Sequence, residues 1–115
     1  MPRMKFMTKA IENAFAKQGD TSNLPINQIK IIGKWFNPTG VGTWYCYEYN
    51  KPTNSLECFV ELGNPHTAEA GFVSIDELQR FRGRFGLGIE RDKLFPIGKF
   101  TLSEVQSTIR QGKHL

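Results

Sequence analysis

Residues 43–62 read TWYCYEYNKPTNSLECFVEL, and two strands with a break between them can be read in this stretch. In its second half Leu56, Cys58, Val60 and Leu62 alternate with Ser55, Glu57, Phe59 and Glu61, the period-two pattern of a half-buried strand. The first half is strand-like by its aromatic content. Extended backbone places Trp44, Cys46 and Glu48 on one face and Tyr45, Tyr47 and Tyr49 on the other. The break NKPTN is too short for the crossover that parallel strands need, so the two halves should pair antiparallel. A register that sets Cys46 against Cys58 brings Phe59 to the tyrosine face; a slip of one residue moves it to the Trp44 face.

The neighbouring segments extend this hairpin. Upstream, QIKIIGKWF (28–36) is a further strand, joined through NPTGVG, where Pro and Gly stand at the second and fourth positions of a type I turn. Downstream, AGFVS (70–74) is a short fourth strand. Three helices are predicted around them. The first runs from an N-cap at Thr8 to a stop at Gly19, with Ile11, Ala14 and Phe15 on one side. The second opens on the capping box Ser74–Glu77, turns Ile75, Leu78 and Phe81 inward, and ends near Gly83. The third opens on Thr101–Glu104 and has Leu102, Val105 and Ile109 on its apolar side. The expected fold is α+β: one domain over 1–115, with an antiparallel meander-like sheet of about four strands covered on one face, and N-terminal, middle and C-terminal helices.

Composition excludes several classes. A chain of 115 residues with 39% hydrophobic and 23% charged side chains is globular, and nothing in it approaches the roughly 18 apolar residues of a membrane helix. The basic start MPRMKFMTKA is not followed by the apolar core of a signal peptide, which together with only two cysteines implies a reducing cytoplasm. Cys46 and Cys58 are then expected as small core residues without a structural disulfide. With His66 and His114 they lack the paired spacing of a zinc knuckle, so neither metal nor cofactor is expected.

The charge is localised. Six basic and two acidic residues between positions 80 and 99 account for the whole net charge of +4. Within it, RFRGRFGLGIERD (80–92) lacks the Lys-Ser/Thr pair of a phosphate loop and the third glycine of a dinucleotide fingerprint, and it follows a helix where a strand is required. Gly83 is expected to end the middle helix, with Gly86 and Gly88 allowing a tight loop anchored in the core by Phe85, Leu87 and Ile89. Glu48, Glu90 and Asp92 are the acids embedded among apolar residues. Their spacing fits no nuclease signature, and Glu48, Glu90, Arg91 and Asp92 are read as a structural ion network bracing the loop. A basic segment that coincides with strand aromatics is the pattern of a nucleic-acid surface, in which Lys34, Arg80, Arg82, Arg84 and Lys93 meet phosphates while Tyr45 and Tyr47 stack bases. Two rivals use the same residues. A protein-binding inhibitor of a host enzyme would present the tyrosines and arginines as anchors, and a metal-dependent nuclease would use Glu48, Glu90 and Asp92.

Taken together, KWFNPTGVGTWYCYE, ELGN with GFVSIDEL, and GRFGLGIERD resemble a family of small bacterial, phage and mobile-element proteins, domain of unknown function 2958. The matching residues are Lys34, Phe36, Pro38, Thr43, Trp44, Tyr45, Glu48, Gly71, Ser74, Glu77, Leu78, Gly86, Leu87, Ile89, Glu90, Arg91 and Asp92. Trp35 stands where the family often has Phe, and Gly42 where it commonly has Trp. The resemblance implies a cytoplasmic accessory protein of a phage or mobile element that binds nucleic acid, single-stranded RNA in particular, without catalysis.

Overall fold

The computed structural model describes residues 5–115. Helix α1 spans Lys9–Gln18, capped at its start by Thr8, whose hydroxyl accepts from the Ile11 N–H at 3.1 Å. It ends at Gly19, where φ of 65° suits glycine and the N–H returns to the Phe15 carbonyl. Five strands follow: β1 Gly33–Phe36, β2 Thr43–Asn50, β3 Ser55–Glu61, β4 Glu69–Ser74 and β5 Glu90–Arg91. They form one antiparallel sheet in the order β4-β3-β2-β1-β5. Helix α2 is Ile75–Arg80, capped by Ser74, and α3 is Leu102–Arg110, opened by a complete capping box between Thr101 and Glu104.

The α+β class is as expected, with one more strand. The additional strand is Glu90–Arg91 within GLGIERD, which pairs with Phe36 and Trp35 of β1. The expected strand over 28–36 is shortened. Ile29 and Ile31 instead exchange backbone hydrogen bonds with Leu102 and Phe100, so this half of the segment guides the chain into α3.

The sheet is covered on both faces, a correction to the one-sided expectation. Cys46 does align with Cys58, and Tyr45 with Phe59. On one side Trp35, Cys46, Leu56 and Cys58 pack under Ile11 and Phe15 of α1 and Ile75 of α2. On the other, Tyr45, Tyr47 and Phe59 pack under Leu102, Val105 and Ile109 of α3, with Ile31 and Phe95. Each fully buried side chain of that size contributes about 1.5–3 kcal/mol. The two faces are apolar in alternation, so each required its own helical layer. Cys46 and Cys58, directly opposed with Cα atoms 4.0 Å apart, are joined as a disulfide inside the first of these cores. They are core residues as expected, but the expectation of no disulfide is corrected, and with it goes the cysteine part of the case for a reducing compartment.

A bulge in β2 interrupts the pairing: Cys46 faces Cys58, yet Glu48 already faces Glu57, so Tyr47 is the extra residue. Tyr49 is thereby shifted off the face of Tyr45 and joins the α1 side, 6.0 Å from the Phe15 ring. The bulge leaves a carbonyl without a ladder partner, and Gln18 supplies one. Its side-chain amide donates to Tyr47 O at 2.7 Å and Lys30 O at 2.9 Å while accepting from Lys30 N at 2.9 Å. Gln18→Ala removes all three bonds and should lower the urea unfolding free energy by roughly 1–3 kcal/mol. An unchanged transition midpoint would show that water replaces the amide at no cost.

Candidate nucleic-acid interface

The chain leaves α2 at Arg80 and closes a small loop on itself. Gly83 N–H donates to Leu87 O at 2.7 Å, Gly86 N–H to Gly83 O at 3.2 Å, and Leu87 N–H to Arg84 O at 3.1 Å. Arg82 folds back onto the end of α2, its Nη1 donating to Gln79 O at 2.8 Å and Phe81 O at 2.7 Å. That fold needs glycine at 88, where a Cβ would come within 2.9 Å of Arg82 Nη1. Gly83 lies against the β1–β2 turn so closely that a Cβ there would stand 2.6 Å from Thr39 Oγ1.

Phe85 sits at the tip with φ 59° and ψ 19°, the left-handed region, and is 92% exposed. A bulky residue in that conformation costs of order 1–3 kcal/mol, and such strain concentrates at functional sites. Phe81 and Leu87 are also exposed. The expectation that Phe85 and Leu87 anchor the loop, and that Phe81 faces inward, is therefore corrected; of these residues only Ile89 packs against the core. Sequence reasoning missed these phenylalanines as surface groups. The hydrophobic spacing misled, because Leu78, Phe81 and Phe85 fall at the i, i+3, i+7 positions of a buried helical face.

Arg80, Arg82, Arg84 and Lys93 are all exposed, and among the described residues none is in salt-bridge contact with a carboxylate. The charge of the loop arginines is consequently not met by a carboxylate among the described residues, and Lys93 adds an exposed cation beyond β5, outside the loop. The loop's ability is to hold anions, with flat apolar rings set between the charges.

A family model described as protein of unknown function (DUF2958) matches residues 5–114. The chain belongs to this family. No curated protein and no solved structure matches it. The GLGIERD stretch that carried much of the resemblance to DUF2958 is the return from the arginine loop into β5.

The other residues read from the sequence as a site are not gathered with the loop. Tyr45 and Tyr47 are 0% and 5% exposed beneath α3, closed to any stacked base. Lys34 points into the same side of the sheet. Its Nζ donates to Leu115 O at 2.7 Å, lies 3.5 Å from the Asp92 carboxylate, and sits 5.5 Å above the Tyr45 ring. The proposed ion network is also replaced by separate contacts. Glu48 accepts from the N–H and hydroxyl of Thr21 at 2.8 and 2.7 Å, Arg91 Nε donates to Lys5 O at 3.2 Å, and Asp92 accepts from the Leu94 N–H at 2.9 Å. Glu48, Glu90 and Asp92 do not converge, and the described residues contain no group of three potential metal ligands.

Burial pushes the phenols of Tyr45 and Tyr47 up to about 12. The fold holds both in the neutral form, so their contribution to stability is complete below the unfolded value of 10 and is lost as pH rises toward about 12. The Tyr45 hydroxyl is buried beside the Leu115 backbone and, among the described residues, makes no hydrogen bond of good geometry. Tyr45→Phe should therefore match or exceed the parent in urea stability at neutral pH and lose less stability over that alkaline interval. A variant less stable than the parent at neutral pH would mean that the hydroxyl is bonded.

Proposed function

We propose that this DUF2958 protein binds single-stranded RNA without catalysis, as a cytoplasmic accessory protein of a phage or mobile element. The observation that carries this reading is the 80–87 loop, in which arginines without a carboxylate partner among the described residues lead into a strained, exposed phenylalanine. Arg80, Arg84 and Lys93 contact phosphates, and Phe85, with the exposed Phe81 four residues before it in sequence, replaces the buried tyrosines as the stacking group. Arg82 has part of its guanidinium committed to the loop backbone and offers its remaining N–H donors outward. Aromatic stacking favours an unpaired strand, because the bases of a duplex are already stacked on one another.

With about four phosphates neutralised, affinity for a single-stranded oligonucleotide should fall roughly fiftyfold between about 50 and 200 mM salt. Arg84→Ala should lower the logarithmic salt slope by about 0.7. Phe85→Ala should weaken binding about tenfold and leave that slope unchanged. An affinity indifferent to salt, or no binding to any oligonucleotide at low salt, removes the proposal.

A second reading, capture of a host protein, draws on a different surface. β4 is an edge strand of the sheet and carries Phe72, 75% exposed, with neither lysine nor proline to discourage another strand from pairing. A lysate partner retained after nuclease treatment and lost in Phe72→Lys, but not in Arg84→Ala, would favour it.

A further inference from the structure

A second site lies on the other side of the β1–β2 turn. The lining of a cavity of about 410 Å³ includes Phe36, Val41, Glu61, Ile109, Lys113 and His114. Glu61 is the described carboxylate most removed from solvent, 8% exposed on β3 opposite Thr43. One of its oxygens accepts from the Gly63 N–H, across a turn whose glycine has φ of 104°. Among the described residues the second oxygen has no hydrogen-bond partner and no cation is in salt-bridge contact with the group. Buried carboxylates are normally paired because leaving water costs several kcal/mol per ion. Glu61 has no such pair among the described residues, and its second oxygen stays open to a cavity whose wall combines polar groups with apolar surface from Phe36, Val41 and Ile109, so it is an acceptor available to a ligand's N–H groups.

We infer that this cavity takes an unstacked guanine base of the bound strand, with the Glu61 carboxylate accepting from the N1–H and the exocyclic amino group. The inference rests on the RNA-binding reading above. Guanine is the base whose Watson–Crick edge presents two adjacent donors, matching the two oxygens of a carboxylate in a charge-assisted pair. Adenine and cytosine each set a single amino group beside a ring nitrogen whose lone pair the carboxylate repels. Uracil offers one N–H between two carbonyls. Phe36 and Val41 give the base an apolar surface, and His114 stands at the same cavity.

The placement joins this cavity to the arginine loop. Thr39, in the middle of the β1–β2 turn, is the residue against which Gly83 packs, while Asn37, Val41 and Thr43 of the same turn and its following strand line the cavity. A strand whose phosphates lie on Arg80 and Arg84 thus has the cavity within reach across one turn, and a base that leaves the stack on Phe85 can enter it.

The test is calorimetric titration of the full chain with guanosine, inosine, adenosine, cytidine and uridine, and in parallel with single-stranded RNA oligonucleotides with and without guanine. Guanosine should bind at least tenfold more tightly than inosine, which lacks the exocyclic amino group, and more tightly still than the other three. Glu61→Gln, with its fold checked by circular dichroism, should abolish that preference, because an amide replaces one acceptor by a donor. It should leave guanine-free oligonucleotides bound as before. Arg84→Ala should do the reverse, weakening every oligonucleotide and leaving guanosine unaffected. Oligonucleotides bound without any guanine preference overturn the pocket and leave the RNA-binding reading standing. Guanosine bound selectively by a chain that binds no oligonucleotide upholds the pocket and overturns the reading on which it was built. If Glu61→Gln does not fold, equal binding of guanosine and inosine by the unmodified protein overturns the pocket by itself.

Discussion

The extra residue in β2 forces the rest of the molecule into its arrangement. Without it Tyr45, Tyr47 and Tyr49 would crowd one face of the sheet, and the α1 side would lose the ring that meets Phe15. With it, Tyr45 and Tyr47 serve the α3 layer and Tyr49 serves the α1 layer, so a single strand supplies aromatic bulk to two cores. The bulge takes the Tyr47 carbonyl out of the ladder, and the last residue of α1 answers it through the Gln18 amide in a part-buried bond. Because the same amide also holds both backbone groups of Lys30, the end of the helix, the bulge and the approach to β1 are set by one side chain. Glu48 repeats the device one residue further on, tying the segment after α1 to β2 through Thr21.

Two tryptophans fix the other end of the sheet by lying over glycines. A Cβ at Gly33 would be 2.8 Å from the Trp35 ring, and one at Gly42 would be 2.8 Å from the Trp44 ring. Trp35 also stacks on Phe6 with centroids 5.1 Å apart and donates from Nε1 to the Phe6 carbonyl at 2.9 Å, so the chain ahead of α1 is bound to the sheet centre. At Gly42 the backbone has φ of 128°, a conformation open to glycine and strained for any other residue. Any residue with a Cβ at this position therefore requires a different turn. The turn built here brings Thr39 against Gly83 and Val41 to the cavity, and the two candidate sites owe their proximity to it.

What could be read from the sequence was what local chemistry decides. Thr8, Ser74 and Thr101 cap helices through bonds to residues three positions on, and Gly19 ends one by its own φ, so all four were visible without the fold. The alternation in β3 gave the hairpin for the same reason, but left its register open between Cys46 opposite Cys58 and a slip of one residue, and the folded sheet selects the first. The bulge was not visible, because its partner Gln18 lies 29 residues away and nothing in TWYCYEYN marks Tyr47 as supernumerary. Nor was the second helical layer, since period two reports alternation but not which side meets water. The basic segment was legible as charge. Its aromatic partners were not: Phe85 and Tyr45 look alike to a hydrophobicity pattern, and only the packing of α3 separates the buried ring from the exposed one. Glu61 was hidden by the opposite error, since an acid in an alternating strand reads as a solvated residue and gives no sign that a cavity will surround it.

The loop's economy bears on how it would bind. An exposed phenylalanine held in the left-handed region persists only where its surroundings over-determine it. Here the backbone bonds among Gly83, Arg84, Gly86 and Leu87 and the two bonds from Arg82 Nη1 do so, without any contact from the Phe85 ring itself. The strain is carried in the free protein, so presenting the ring to a partner requires no further ordering, and the conformational entropy usually lost when a loop closes on its ligand is already absent from the binding free energy. The three arginines of the loop are therefore unequal. Arg82 holds the shape, while Arg80 and Arg84 on either side of it, without a carboxylate partner among the described residues, carry the charge that the shape displays.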